Sequence, residues 1–219
     1  QRFPAPNELP PAEQVTELAR RMRQLAADAG LAWERVISVG YSTAGMLNAE
    51  RTLVFASPNQ GRWRDVPFKA LLQEAFHLPA YIEMDANAAA LGEAWLGAGA
   101  GCSYFLYVIV GTGIGSGIVI NGEVLHGFGG TAGEIGHTTI QPDGPLCNCG
   151  SYGCLEAFAA GPAIALRAQA AILRGEKTQI AVIAAGQPVT AEIVFHAARQ
   201  GDEVAAPSLP RPSKPYPSG

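Results

Sequence analysis

The sequence predicts an α/β protein with a mixed sheet, on three observations. Strand-like and helix-like segments alternate through the first 95 residues. An Asn121-Gly122 turn joins two apolar strands in the middle. Helical periodicity returns from Leu155. With 219 residues and 48% hydrophobic content, the chain can bury a real core, as one large domain or two small ones.

The first dozen residues carry four prolines and read as a loop. Pro10-Pro11 then opens a helix with an apolar face of Val15, Leu18, Met22, Leu25 and Ala29, stopped at Gly30. "RVISVGYS" reads as a buried strand, "VPFKALLQEAFHLP" as a short amphipathic helix closed by Pro79, and "AYIEM" as the next strand. "DANAAALGEAWLG" is helical, with Asp85 at its start. The strands "SYFLYVIV", "GIVI" and "EVL" follow. From Leu155 to Leu173 the pattern is helical with a break at Gly161-Pro162, and Thr190 is placed to cap "AEIVFHAARQ". The last sixteen residues hold five prolines and no apolar period, the composition of a disordered tail.

A net charge of −4 argues against a nucleic-acid surface. Leu96 to Ile120 runs 25 residues without a charge, long enough to span a bilayer. Seven of them are glycine and the run breaks at "GTGIGSG" into strand-length pieces, so a buried hairpin is expected and no membrane partner. The first residues lack the apolar core of a signal peptide, and a cytoplasmic protein is expected.

Three of the four cysteines, Cys147, Cys149 and Cys154, form C-x-C-x4-C, ten residues after His137. Cys147 and Cys149 are too close to bridge each other without strain, and odd parity leaves a thiol over. Three thiolates and an imidazole suit tetrahedral Zn²⁺, and a closed set of four protein ligands makes the metal structural. Cys102, in the apolar strand region, reads as a small core residue. Alternating Gly111, Gly113, Gly115 and Gly117, with Thr112, suit either close approach of backbone N–H groups to an anion or a plain tight turn. Asp85, between a strand and a helix, is either a cap or a general base.

"GTGIGSGIVINGEVLHGFGGTAGEIGHTTIQPDGPLCNCGSYGCLEAFAAGPAI", with "SPNQGRWRDVP" and "DANAAALGE", resembles the ROK family of repressors and sugar kinases, over roughly Val36 to Asp202. The resemblance implies an actin-like ATPase fold of the ribonuclease H type, with two lobes around a cleft. Residues 1–95 would be part of the first lobe, 96–203 part of the second, and 204–219 the tail. Asp85 would be the base on a hexose 6-hydroxyl. Gly111, Thr112 and Gly113 would face the phosphates of ATP, which brings Mg²⁺. Glu134, His137 and Glu156 would bond the sugar, with Gly45 and Asn59 in the same pocket. His137 would use one ring nitrogen for zinc and the other for sugar, because metallation fixes its tautomer.

The departures from the family pattern also matter. Met84 stands where Asn is usual, and a thioether offers a sugar almost nothing. Ala44 replaces Pro and Asn48 replaces Asp. The Asp-x-Gly-Gly-Thr phosphate loop and the glycine-rich adenosine segment are absent from this sequence. The chain is therefore expected to be a partial one, an internal fragment or a product whose reading frame is lost near residue 205. It should have little kinase activity alone. A glucokinase-type sugar kinase is the leading expectation; the alternative is the sugar-sensing domain of a ROK repressor lacking its helix-turn-helix. Family members commonly form dimers or tetramers, so a homo-oligomer is expected in either case.

Overall fold

The computed structural model describes residues 6, 8–56 and 63–206, so Asn59 and the chain beyond Ala206 lie outside the described residues. The chain divides into two compact units, one within Gln1–Val108 and Ser116–Gly133, the other within Ile109–Gly115 and Glu134–Gly219.

The first unit begins with α1 (Pro11–Asp28), opened by proline and carrying Glu13 in its first turn. Its buried positions are Gln14, Val15, Ala19 and Ala26; Met22 and Leu25 lie at the exposed margin of the stripe, away from the core. Strand β1 (Val39–Thr43) runs parallel to β5 (Ala80–Met84), pairing Thr43 with Met84 at their C-terminal ends. "RVISVGYS" is thus a shorter strand than its sequence suggests, and it is not fully buried. Ile37 is 82% exposed, since it precedes the paired residues Val39–Thr43.

Between β1 and β5 lie a small antiparallel sheet and a helix. The strands β2 (Met46–Leu47), β3 (Val54–Ala56) and β4 (Arg64–Val66) are too short for periodicity to reveal. The helix α2 (Phe68–Phe76) ends at His77 in the left-handed conformation. The core gathers Val15, Val54, Trp63, Phe68, Leu72 and Phe76, with Phe68 meeting Tyr41 and Trp63 at 4.6 Å between ring centroids.

After α3 (Asp85–Leu96), strands β6 (Tyr104–Val110), β7 (Ile114–Ile120) and β8 (Glu123–Val124) form a sheet with β7 in the middle. Asn121 and Gly122 both have positive φ, 51° and 83°, as a two-residue type I′ turn requires. Burial of this hairpin is one-sided. Central β7 goes inside, with Val119 fully buried, whereas Tyr104 on the edge strand β6 is 71% exposed. Cys102 is exposed too, not a core residue, since it precedes the sheet in a turn.

The second unit is helical: α4 (Leu155–Ala159), α5 (Gly161–Leu173), α6 (Ile180–Ala184) and α7 (Ala191–Arg199). Thr190 caps α7, accepting the Ile193 N–H. The five-residue α6 left too little periodicity to be read. Ile164, Ala168, Ile180, Val194 and Ala197 form the core, which reaches Ala205 inside the proline-rich segment. Among the described residues, no helix is long and apolar enough to cross a membrane.

Asp202 is a buried clamp for this unit. Its carboxylate accepts the Thr178 hydroxyl at 2.8 Å and the backbone N–H groups of Gln179 and Ala205. Burial alone would raise its pKa; the N–H donors of Gln179 and Ala205 and the Thr178 hydroxyl outweigh that and hold it below the ordinary value. A depressed folded-state pKa gives stability that is present above the unfolded carboxylate value and is lost as pH falls through the folded one. Asp202→Asn should therefore cost roughly 1–3 kcal/mol at neutral pH, the usual range for unpaired buried groups. In denaturant titrations the gap between variant and parent should narrow as the pH is lowered.

Candidate active site and metal centre

His137 ends a 3-10 turn over Ile135–His137, and Cys154 immediately precedes α4. Between them a loop folds back on itself through bridges pairing Thr139 with Cys154 and Leu146 with Tyr152. The fold-back brings one ligand atom each from His137, Cys147, Cys149 and Cys154 within 4.8 Å of one another. The Cys149 and Cys154 sulfurs are 3.7 Å apart, and Cys147 Sγ is 3.7 Å from His137 Nδ1. A tetrahedron with Zn–S near 2.3 Å has edges of about 3.7 Å, whereas a disulfide needs about 2.05 Å. The donor set therefore fits a tetrahedral metal ion and not a disulfide.

The charge balance of the cluster points the same way. With no cation, burial first and then the neighbouring Cys149 and Cys147 push the Cys154 thiol up to about 12. Burial likewise raises Cys147, while the Ser151 backbone N–H lowers Cys149 to about 7. Three thiols so close together can all ionise only beside a positive charge, which a divalent metal would supply.

Glu156, in the first turn of α4, connects this cluster to the glycine hairpin. Its Oε2 accepts the Ile114 N–H at 2.8 Å, and its Oε1 lies 3.8 Å from Cys147 Sγ. Two glycines make the approach possible. A Cβ on Gly113 would stand 2.5 Å from Glu156 Oε2, and one on Gly136 would stand 2.1 Å from the Ile114 carbonyl oxygen. On the other side, Gly161 at the start of α5 donates its N–H to the Gly111 carbonyl at 2.8 Å. The hairpin tip is thus held from the metal loop and from α5 together.

Beside that tip lies a groove of about 570 Å³, lined by Gly111, Thr112, Gly161, Pro162, Thr190 and Glu192 among others. The N-terminal ends of α5 and α7 both open onto it, and helix N-termini favour anions. His137 turns Nδ1 toward the cysteines and Nε2 toward Glu134, whose Oε2 is 4.0 Å away.

The other sequence-predicted residues lie in the first unit. Asp85 starts α3 just past the end of β5; it is exposed, and its Oδ1 accepts the Ala86 N–H at 2.7 Å. The cap position itself belongs to Met84, which has no capping side chain. Gly45 is buried past the end of β1, its N–H bonded to Thr43 Oγ1 at 3.0 Å. Both therefore sit at the C-terminal ends of parallel strands, the edge where α/β folds bind ligands. Glu134, His137, Glu156, Gly111, Thr112 and Gly113 belong with the cysteines to the second unit. Sequence reasoning missed the Glu156 bond to Ile114, because a backbone donor carries no residue signature. It also missed Glu83, whose partners His126 and Arg51 lie on other segments.

An actin-like α/β fold carrying a glycine hairpin and a Cys3His cluster defines the class. The family model for the ROK family matches residues 5–214, and the chain belongs to that family. It is 42% identical over 172 residues to a glucokinase of Halalkalibacterium halodurans, covering 78% of this chain and 52% of that protein. It is also 35% identical over 169 residues to a xylose repressor of Caldicellulosiruptor bescii, covering 77% of this chain and 42% of that protein. The structure of a ROK hexokinase from Thermus thermophilus superimposes with a TM-score of 0.74 at 36% identity, over 94% of this chain and 63% of that one. The chain spans about half the length of the curated relatives it matches.

The cluster geometry leads to a direct expectation. Purified chain should carry one equivalent of tetrahedral metal, and cobalt-loaded protein should show thiolate-to-metal charge-transfer absorption. Cys154→Ser should abolish that absorption, and metal analysis of the same samples provides the check.

Proposed function

We propose that this chain is the hexose- and phosphate-binding part of a ROK-type sugar kinase, which phosphorylates the 6-hydroxyl of glucose or a related hexose with ATP. The observation that carries the reading is the hairpin Gly111–Gly113, which opens onto a groove flanked by two helix N-termini and is tied through Glu156 to a Cys3His cluster. Zinc on His137, Cys147, Cys149 and Cys154 would be structural, since four protein ligands leave no position for a reacting water. ATP bound with Mg²⁺ supplies the phosphoryl group and the charge that offsets its transfer.

The roles of the chain's own residues follow from their chemistry. Thr112 and Gly113 offer backbone N–H groups and the Thr112 hydroxyl to phosphate oxygens, while Gly111 shapes the tip by donating its N–H to the Gly113 carbonyl at 2.9 Å. Glu134, His137 and Glu156 bond sugar hydroxyls, and Gly45 and Asn59 are the further residues assigned to sugar binding. His137 with Nδ1 on the metal keeps its proton on Nε2, a donor of fixed direction. Asp85 accepts the 6-hydroxyl proton as that oxygen attacks the terminal phosphorus, which gives hexose 6-phosphate and ADP. The lobe assignment, 1–95 and 96–203 with a tail from 204, belongs to the same proposal.

A second reading rests on Met84 and on the likeness to the xylose repressor: a sugar-sensing domain that binds a sugar but does not phosphorylate it. Met84 removes the side chain best suited to hold a hydroxyl beside Asp85. Nucleotide binding separates the two, because a kinase needs the groove at Gly111–Gly113 for ATP and a sensor does not.

Calorimetry on zinc-loaded chain with glucose, mannose, N-acetyl hexoses and xylose should give heat with at least one sugar. Glu156→Gln should weaken that sugar by about tenfold, or 1.4 kcal/mol. Absence of heat across the whole panel, with zinc shown to be bound, would leave a metal-stabilised protein without a sugar function and end both readings.

A further inference from the structure

A polar cluster centred on Glu83 surrounds the start of α3. Glu83 is the next-to-last residue of β5, and its side chain is only 18% exposed. Its carboxylate reaches four groups from four segments of the first unit. Oε1 accepts the backbone N–H of Met84 at 2.9 Å and the Asn87 side-chain amide at 3.1 Å. Oε2 lies 2.8 Å from His126 Nε2 and 3.7 Å from Arg51 Nε.

These partners are themselves fixed. Asn87 is fully buried, and its Oδ1 has no hydrogen-bond partner, so Glu83 is what its amide is oriented toward. Arg51 sits in a left-handed conformation, φ 51°, inside a loop that Asn48 Oδ1 organises by accepting the Thr52 and Leu53 N–H groups. Facing an ionised carboxylate, which only accepts, His126 must carry its proton on Nε2. The first turn of α3 also packs directly on β7, where a Cβ on Gly117 would stand 2.8 Å from the Ala86 carbonyl oxygen.

We propose that Glu83 is the positioning residue for Asp85, holding the strand-to-helix junction from which the base projects. Asp85 lies between Met84 and Asn87, and both are tied to the same carboxylate oxygen of Glu83. The charge is what allows this: one carboxylate offers enough lone pairs to accept from three donors and still attract the Arg51 guanidinium, whereas an amide oxygen offers two and brings donors of its own. His126 and Arg51 then brace the carboxylate from the other side. The assignment rests on the reading of Asp85 as the group that meets the 6-hydroxyl.

Two measurements on the full chain test it. In Glu83→Gln, hydrogen exchange of the Met84 to Asn87 amides should rise by about tenfold, while α1 and α2 amides keep their protection. Calorimetry should show glucose weakened by about tenfold and 6-deoxyglucose, which lacks the hydroxyl, changed less than about twofold. His126→Gln, which keeps an N–H donor, should behave closer to the parent chain than His126→Ala. Unchanged exchange at Met84, exchange raised evenly through the unit, or an equal loss for both sugars would overturn the assignment. If the parent chain itself does not distinguish glucose from 6-deoxyglucose, it is the role of Asp85 that fails, and exchange at Met84 decides whether Glu83 holds the junction.

Discussion

The hydrogen bond from the Ile114 N–H to the Glu156 carboxylate is the constraint on which the candidate site depends. It joins two features that are 42 residues apart in sequence, the Cys3His loop and the glycine hairpin. Glu156 can reach Ile114 only because Cys154, two residues earlier, is drawn into the ligand cluster and starts α4 there. The hairpin can receive it only because Gly113 and Gly136 carry no side chain. A structural metal would thus do more than staple a loop. Its binding energy, on the order of 10–16 kcal/mol for such sites, would be comparable to the stability of a whole domain and could fix the tip of the hairpin.

The two units carry different parts of the chemistry. In the second, helix ends lie around the glycine hairpin, an arrangement suited to an anion, and the half-buried Glu156 carboxylate braces it by accepting the Ile114 N–H. In the first, carboxylates sit at strand ends: Asp85 exposed just past β5, and Glu83 turned inward and bonded on both oxygens. Two acids two residues apart on a continuous strand would share a face; here β5 ends at Met84 and α3 begins at Asp85, so the alternation stops between them. One remains available to a ligand and the other is absorbed by the protein. Likeness to both glucokinases and xylose repressors is understandable on this arrangement, because a sugar site beside a Cys3His loop would serve catalysis or sensing alike.

Legibility from the sequence followed the physical strength of each signal. The cysteine spacing, the Asn121-Gly122 turn, the Gly161-Pro162 break and the Thr190 cap are local chemistry, and the structure places each as read. Strands β2 to β4 and helix α6 were not legible, since two to five residues hold less than a usable period. Burial was misjudged where it depends on neighbours: an apolar run such as "SYFLYVIV" looks the same at a sheet edge as at its centre. The roles of Glu156 and Glu83 were hidden for a related reason. Their partners are a distant backbone amide and residues on other elements, and no one-dimensional pattern announces such contacts.

The link between metal and hairpin is most directly tested by hydrogen exchange at the Ile114 amide, measured with metal bound and after chelation. A hydrogen bond to a charged acceptor is worth about 1.5–3 kcal/mol, so metal removal should speed exchange at Ile114 by about tenfold or more while α5 and α7 stay protected. Ile114 exchanging at the same rate in both states, with loss of the metal verified, would contradict the account.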